Sequence, residues 1–336
     1  MSNIYNASRR ASATLIGIII YMAGFFKLMD PVGTSLIVED YSKFFGVDFV
    51  AWIAKPVAVT LSLFETLLGA ALITGVWRRI TAFVSGVTLA VFTVITAILA
   101  IKNPNMDCGC FGQAIHLTHI QSLIKNGILL VLWCYAFLPF KELGQSKKIK
   151  FVTFPIAAIS SVAFAVYSLL AVPLMDFTAY NPGAELQAED APLALCNRQR
   201  EYCDSCSFKG PIMAVSIYDT DNYDLVKVTS FLEQAQLAGF QPMVLMSCAP
   251  DELDSPFGFS ADRRTIMSLN RSNAGATYIY NQQVIRKWSS HRLPHKDQME
   301  QLLARNATEE MLEHSVKNRL KVQGFLLYVF AVMLLL

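Results

Sequence analysis

Charge is what this sequence has least of. Asp, Glu, Lys and Arg make up 16% of its 336 residues against 54% hydrophobic, and the mean hydropathy is +0.40, which excludes an ordinary soluble domain. The net charge of +2 is small, and the basic residues fall in short loops rather than along one face. Nucleic acid is therefore not an expected partner. A small-residue cleavage site is also missing after the first apolar run, residues 11–29, and further runs follow it, so that run reads as a retained helix rather than a leader. The sequence carries no haem, flavin or quinone fingerprint. No cofactor is identified from it, and a quinone stays open without a motif behind it.

What is abundant is apolar sequence of spanning length, and it predicts an integral membrane protein embedded in a lipid bilayer. After residues 11–29, which Lys27 interrupts near the far end, residues 30–50 carry Asp30, Glu39, Asp40 and Asp48 against Lys43 and read as a polar connection. Further spans are expected at about 56–76, 80–101, 123–140 and 151–172. Arg9 and Arg10, Arg78 and Arg79, and Lys141, Lys147, Lys148 and Lys150 share one side if every segment spans, whereas Lys43 and Lys102 lie opposite with the helix-end Lys55 and Lys125. The excess marks the first side as cytoplasmic. This predicts a bacterial inner-membrane protein with a cytoplasmic N-terminus, and with the loop after the third span and everything beyond residue 172 in the periplasm, where disulfides persist.

Composition turns polar and mixed at Pro173. The expected organisation is a helical bundle over 1–140, a cytoplasmic loop and fifth helix over 141–172, a linker over 173–195, a soluble α/β domain over 196–318 and an apolar segment over 319–336. Strand patterns at 212–218, 243–247, 277–280 and 284–288 alternate with helical patterns at 223–237, 262–270 and 296–304, a β-α-β-α-β-β-α order with helices on a central sheet. Residues 322–336 are a marginal sixth span or an interfacial anchor.

Chemistry concentrates in the cysteines. Asn105-Met106-Asp107-Cys108-Gly109-Cys110-Phe111-Gly112 puts two thiols in a glycine-bearing loop between two spans. Cys196, Cys203, Cys206 and Cys248 fall on the same side, and six cysteines allow 15 pairings, among which spacing does not choose. Cys203 and Cys206 form a Cys-x-x-Cys, suited to a reversible disulfide with one acidified thiol. Cys108 and Cys110 close only a small, strained and therefore labile ring. These four are the candidate redox-catalytic residues, exchanging electrons as one pair attacks the disulfide of the other across a tether that raises their effective concentration. The bland alternative for each pair is a structural disulfide. Cys196 and Cys248 read as a structural disulfide or buried thiols, and Cys134 as a small packing residue. Within the spans Glu65, near mid-helix, needs a partner or a cavity, and Lys27 either snorkels or contacts it. Cys108, Cys110, His116 and His119 together offer an alternative tetrahedral metal set, though their spacing matches no common zinc pattern. A third reading is a non-catalytic membrane scaffold that binds a periplasmic partner.

Residues 1–140 resemble the DoxX-like and MauE (methylamine utilisation) superfamily of four-helix membrane proteins. The features concerned are Ala23-Gly24-Phe25-Phe26-Lys27-Leu28-Met29-Asp30-Pro31, Phe64-Glu65-Thr66-Leu67-Leu68-Gly69 and Asp107-Cys108-Gly109-Cys110-Phe111-Gly112, the last pointing to the MauE branch. The element order of 212–304 is similar to the thioredoxin fold, with two departures. The redox-pair position holds Asp219-Thr220-Asp221-Asn222, and the usual cis-proline position holds Ala274. The resemblance implies an α-helical membrane bundle, with a fifth span and a thioredoxin-like soluble domain. It also implies a role in disulfide handling for a periplasmic, disulfide-containing client, since the MauE family is associated with maturation of a disulfide-rich dehydrogenase subunit.

Overall fold

The computed structural model describes residues 2–47, 49–140, 149–186, 193–202, 208–253 and 257–335. The chain divides into two compact units, Met1–Ser168 with Gln323–Leu336, and Leu169–Val322.

Five helices are long and apolar enough to cross a membrane: Ile4–Met29, Ala54–Thr74, Arg78–Lys102, His119–Phe137 and Lys150–Leu170. In a bilayer every backbone N–H and C=O must be satisfied within the segment, which helices of this length achieve. The first two belong to α1 (Ser2–Met29) and α4 (Ala54–Thr74), whose contact is held by small residues. A Cβ on Gly69 would lie 2.4 Å from the Tyr21 nitrogen, and one on Gly24 would lie 2.6 Å from the Ser62 carbonyl oxygen. Close approach of this kind replaces the hydrophobic driving force that lipid removes.

Residues 30–50 are not the expected polar connection. They fold as α2 (Pro31–Phe45) and the single turn α3 (Phe49–Trp52). Asp30 caps α2 by accepting from the Gly33 nitrogen at 2.8 Å, Pro31 takes the first turn where no donor is needed, and Gly46 closes it at φ 67°. Val32, Leu36 and Ile37 form a buried face, while Glu39, Asp40 and Lys43 share the far end of the helix. Averaged over the stretch the charges looked like a loop. Their spacing beside the apolar residues is helical.

Helices α5 (Arg78–Lys102) and α6 (His119–Phe137) pack through Trp133, whose indole donates to the Ala82 carbonyl and the Ser85 hydroxyl, both at 3.0 Å. Gly86 makes room for that ring. Between them lies a loop with the short extended segment β1 (Cys110–Gln113). The fifth apolar helix is α7 (Lys150–Leu170), and Phe25, Phe164 and Phe325 stack against one another within this unit.

The second unit is built on a five-stranded sheet of β2 (Pro211–Ile217), β3 (Gln241–Met246), β4 (Gly258–Ser260), β5 (Gly275–Tyr280) and β6 (Gln283–Trp288). The spatial order is β4-β3-β2-β5-β6. β2 and β3, and β3 and β4, run parallel, whereas β2 and β5, and β5 and β6, are antiparallel. The hairpin turns on Asn281 and Gln282, both at positive φ, the geometry that matches strand twist. Helices α8 (Leu225–Leu237), α9 (Arg263–Leu269) and α10 (Lys296–Ala304) complete the layers, and β4 is a strand the sequence reading lacked.

Two further differences concern the flanks. The stretch expected as a linker, 173–195, contributes Tyr180, Leu186, Leu193 and Leu195 to a buried cluster with Ile212, Leu245 and Ile279. It also supplies Asp176, which pairs with Lys287 at 2.5 Å with both side chains buried. Burial alone would raise the Asp176 carboxyl, but the Lys287 ammonium holds it below the ordinary carboxylate range. The apolar tail is the end of one 29-residue helix, α11 (Ala307–Leu335), which is not among the five apolar enough to span.

Gly69→Ala should destabilise the detergent-solubilised protein by ~1–3 kcal/mol in denaturant titrations, the usual cost of overpacking. Gly127→Ala, with nothing within 4 Å of the added atom, should not.

Candidate functional site

The loop that carries the two thiols is clamped from three sides. Asn103 ends α5 in the left-handed region at φ 44°, and His119 Nε2 meets the Pro104 carbonyl at 3.0 Å. Thr118 and Gln121 form a reciprocal capping box that starts α6. The Tyr41 hydroxyl, from α2, donates to the Cys108 carbonyl at 2.8 Å, and the Lys125 ammonium lies 5.0 Å from the centre of the Phe111 ring. Gly109 sits at φ +63°, and a Cβ there would fall 2.6 Å from Ile37 Cγ2, so both conformation and space require glycine.

This turn sets the Cys108 and Cys110 sulfurs 3.8 Å apart as a thiol pair. Their environments separate them. The hydrogen bond from the Cys108 thiol, reinforced by the Lys125 ammonium against the opposing effect of burial, lowers Cys110 to about 5. The same hydrogen bond, together with burial and the charge on Cys110, pushes Cys108 well above the ordinary thiol range. At neutral pH the pair is one thiolate and one thiol, with the more accessible Cys110 as the thiolate and the buried Cys108 holding the proton.

Behind the thiols lies a cavity of about 270 Å³ walled by α1, α2, α4, α5, α6 and the loop itself. Lys27 and Glu65 line it and form a bidentate ion pair at 2.7 and 2.8 Å, both nearly inaccessible to solvent. Lys27 therefore reaches Glu65 and turns inward rather than snorkelling. Asn126, also on the wall, donates to the Thr96 hydroxyl at 3.2 Å.

The other expected residues fall differently. The set Cys108, Cys110, His116 and His119 does not assemble: His116 is exposed and meets Asp107 at 3.2 Å, while His119 turns its Nε2 to the Pro104 carbonyl. Among the described residues no three His, Cys, Asp or Glu side chains converge as metal ligands. Cys203 and Cys206 lie outside the described residues. Cys196 is a thiol and is not joined to Cys248, yet both flank Ser260, which exchanges backbone hydrogen bonds with Cys196 and donates its hydroxyl to the Cys248 carbonyl at 2.5 Å. Cys134 is an exposed thiol on α6. After β2, the Asp219–Asn222 turn has no thiol and is fastened by Asn273, whose side chain accepts from the Tyr218 and Asp219 nitrogens and donates to the Asp219 and Asn222 carbonyls.

Sequence reasoning missed Tyr41, Asn126 and the cavity-facing role of Lys125. Tyr41 was hidden because α2 was read as a loop, although Asp30-Pro31 before an apolar run is a helix-start signal. Lys125 was counted as a helix-end charge. The Thr118–Gln121 box places it within the first two turns of α6, on the side of the thiols.

These features define a helical membrane protein with a paired-thiol loop at an apolar intramembrane cavity. Residues 5–139 match the family model described as methylamine utilisation protein MauE, a region that holds Cys108, Cys110, Lys27, Glu65 and Lys125 and ends before α7. No curated protein and no solved structure matches the chain.

Two measurements check the site. Alkylation of Cys110 by iodoacetamide should be half-maximal near pH 5, falling as pH drops and the thiolate is protonated, and Lys125→Met should move the midpoint upward. Removing one partner of the buried ion pair, by Lys27→Met or Glu65→Leu, should cost ~3–5 kcal/mol in unfolding experiments, and the double substitution should recover most of it.

Proposed function

We propose that the chain is a bacterial inner-membrane thiol–disulfide oxidoreductase that assists disulfide handling in periplasmic proteins. The observation that carries this reading is the Cys108–Cys110 pair, close together and divided into thiolate and thiol. Cys110 attacks a disulfide of the partner, forming a mixed disulfide and releasing one partner thiolate, which is then protonated. Cys108 gives up its proton and attacks the Cys110 sulfur, so that Cys108 and Cys110 leave oxidised and the partner leaves with two thiols. The reverse sequence oxidises the partner. Cys203 and Cys206, tethered on the same chain, are the proposed internal relay to a periplasmic client. The charge bias of the loops supports an N-terminus in the cytoplasm and the thiols in the periplasm.

The β4-β3-β2-β5-β6 order, with parallel pairs on one side of β2 and antiparallel pairs on the other, supports a thioredoxin-like second unit. The similarity of residues 5–139 to the MauE family supports a client of the kind matured in methylamine utilisation, and a DoxX-like ancestry for the bundle is proposed on the motifs alone. One observation favours a second reading, a scaffold that binds its partner without redox chemistry. The turn after β2 holds no cysteine and is tied shut by Asn273.

Trapping cellular thiols by alkylation decides between them. The redox reading expects Cys108 and Cys110 to shift between alkylated and protected forms with oxidant and reductant. It also expects Cys108→Ser to accumulate a mixed disulfide through Cys110. An alkylation pattern that never changes, with cysteine-to-serine variants that keep function, would establish the scaffold instead.

A further inference from the structure

A thiol pair that is oxidised must hand two electrons to an acceptor, and the cavity at Cys110 has the character of a site for one. Its walls are mainly apolar, including Ile37, Leu61, Phe92 and Leu129, and among its polar lining Lys125 and Tyr41 lie beside the thiols. That is the pattern of a small-molecule pocket. A volume of about 270 Å³ suits a single substituted ring and is too small for a multi-ring cofactor. A charged acceptor would be poorly solvated there, since an anion gains little from apolar walls. A neutral ring that is lipid-soluble in both redox states has no such cost. Lys27 in the wall is paired with Glu65, and the Lys125 ammonium lines the cavity beside Cys110, placed to stabilise negative charge developing on a ring oxygen.

We propose that this cavity takes the headgroup of a lipid-soluble quinone, which accepts two electrons from the Cys108–Cys110 pair; the inference rests on the thiol–disulfide reading above. The Cys110 thiolate sulfur bonds to a ring carbon, and the electron pair displaced to the quinone oxygen is captured with a proton from water. Cys108, losing its proton, attacks the Cys110 sulfur and breaks the sulfur–carbon bond. The ring leaves with that electron pair and the second proton as hydroquinone. One thiolate and one thiol have become one disulfide, and one quinone has gained two electrons and two protons, one from Cys108 and one from water.

The test uses the full-length, reduced protein in phosphatidylcholine nanodiscs under anaerobic conditions. Decylubiquinone and glutathione disulfide are supplied separately, with quinone absorbance and thiol alkylation read together. One hydroquinone formed for each Cys108–Cys110 pair oxidised is expected. Leu129→Trp, which fills the cavity, should lower the ratio of the quinone rate to the glutathione-disulfide rate by roughly tenfold or more, as displacement of reacting groups does. Val57→Phe, from a different wall, should lower it in the same direction, and thermal unfolding midpoints identify any variant that has simply misfolded. Oxidation by glutathione disulfide without reaction with decylubiquinone, or a ratio unchanged in both folded variants, overturns the quinone site. Failure of both oxidants to touch the thiols overturns the thiol–disulfide reading itself.

Discussion

The ion pair between Lys27 and Glu65 is the constraint on which the membrane-embedded unit depends. Two charges in an apolar interior are tolerable only if they meet in good geometry, and the bidentate contact at 2.7 and 2.8 Å fixes how α1 and α4 lie against each other. Gly24 and Gly69 then let the two backbones approach closely enough to hold that depth. The pair also lies in the cavity wall, so the need to satisfy buried charge and the existence of a polar patch beside the thiols have one origin.

Around that fixed pair the loop is arranged by many weak contacts rather than one strong one. Tyr41, His119, the capping box of α6 and the Lys125–Phe111 contact each contribute little, yet together they hold two sulfurs in one orientation. The difference in acidity between Cys108 and Cys110 follows from this arrangement. The same hydrogen bond that lowers one raises the other, so neither value belongs to a residue in isolation.

Long-period features were the legible ones. Long apolar runs marked five helices of spanning length to within a few residues at most ends, and alternating patterns located β2, β3, β5 and β6, because burial on one face writes a period into the sequence. The Cys-x-Cys loop stood out because its residue types are rare at such a place. What stayed illegible depended on distant partners. Glu65 announced that it needed one, but the depth of Lys27 could not be judged until the offset of α1 against α4 was known. Which of two neighbouring thiols would be acidic depended on their mutual hydrogen bond, reinforced by Lys125, fifteen residues beyond Cys110. The stretch 173–195 looked like a linker because Pro173, Pro182, Gly183 and Pro192 punctuate it, whereas Leu186, Leu193 and Leu195 are buried against strands far along the chain.

The Gly109 turn carries a mechanical consequence. The space where a side chain would stand is filled by the Ile37 methyl, 2.6 Å from where a Cβ would be, and Ile37 is itself part of the cavity wall. The loop and α2 therefore mesh like two gear teeth with no play between them. Any change in the spacing of the sulfurs is transmitted through Ile37 to the shape of the apolar chamber, so the state of the thiols and the fit of whatever occupies that chamber are geared to one another through a single missing carbon.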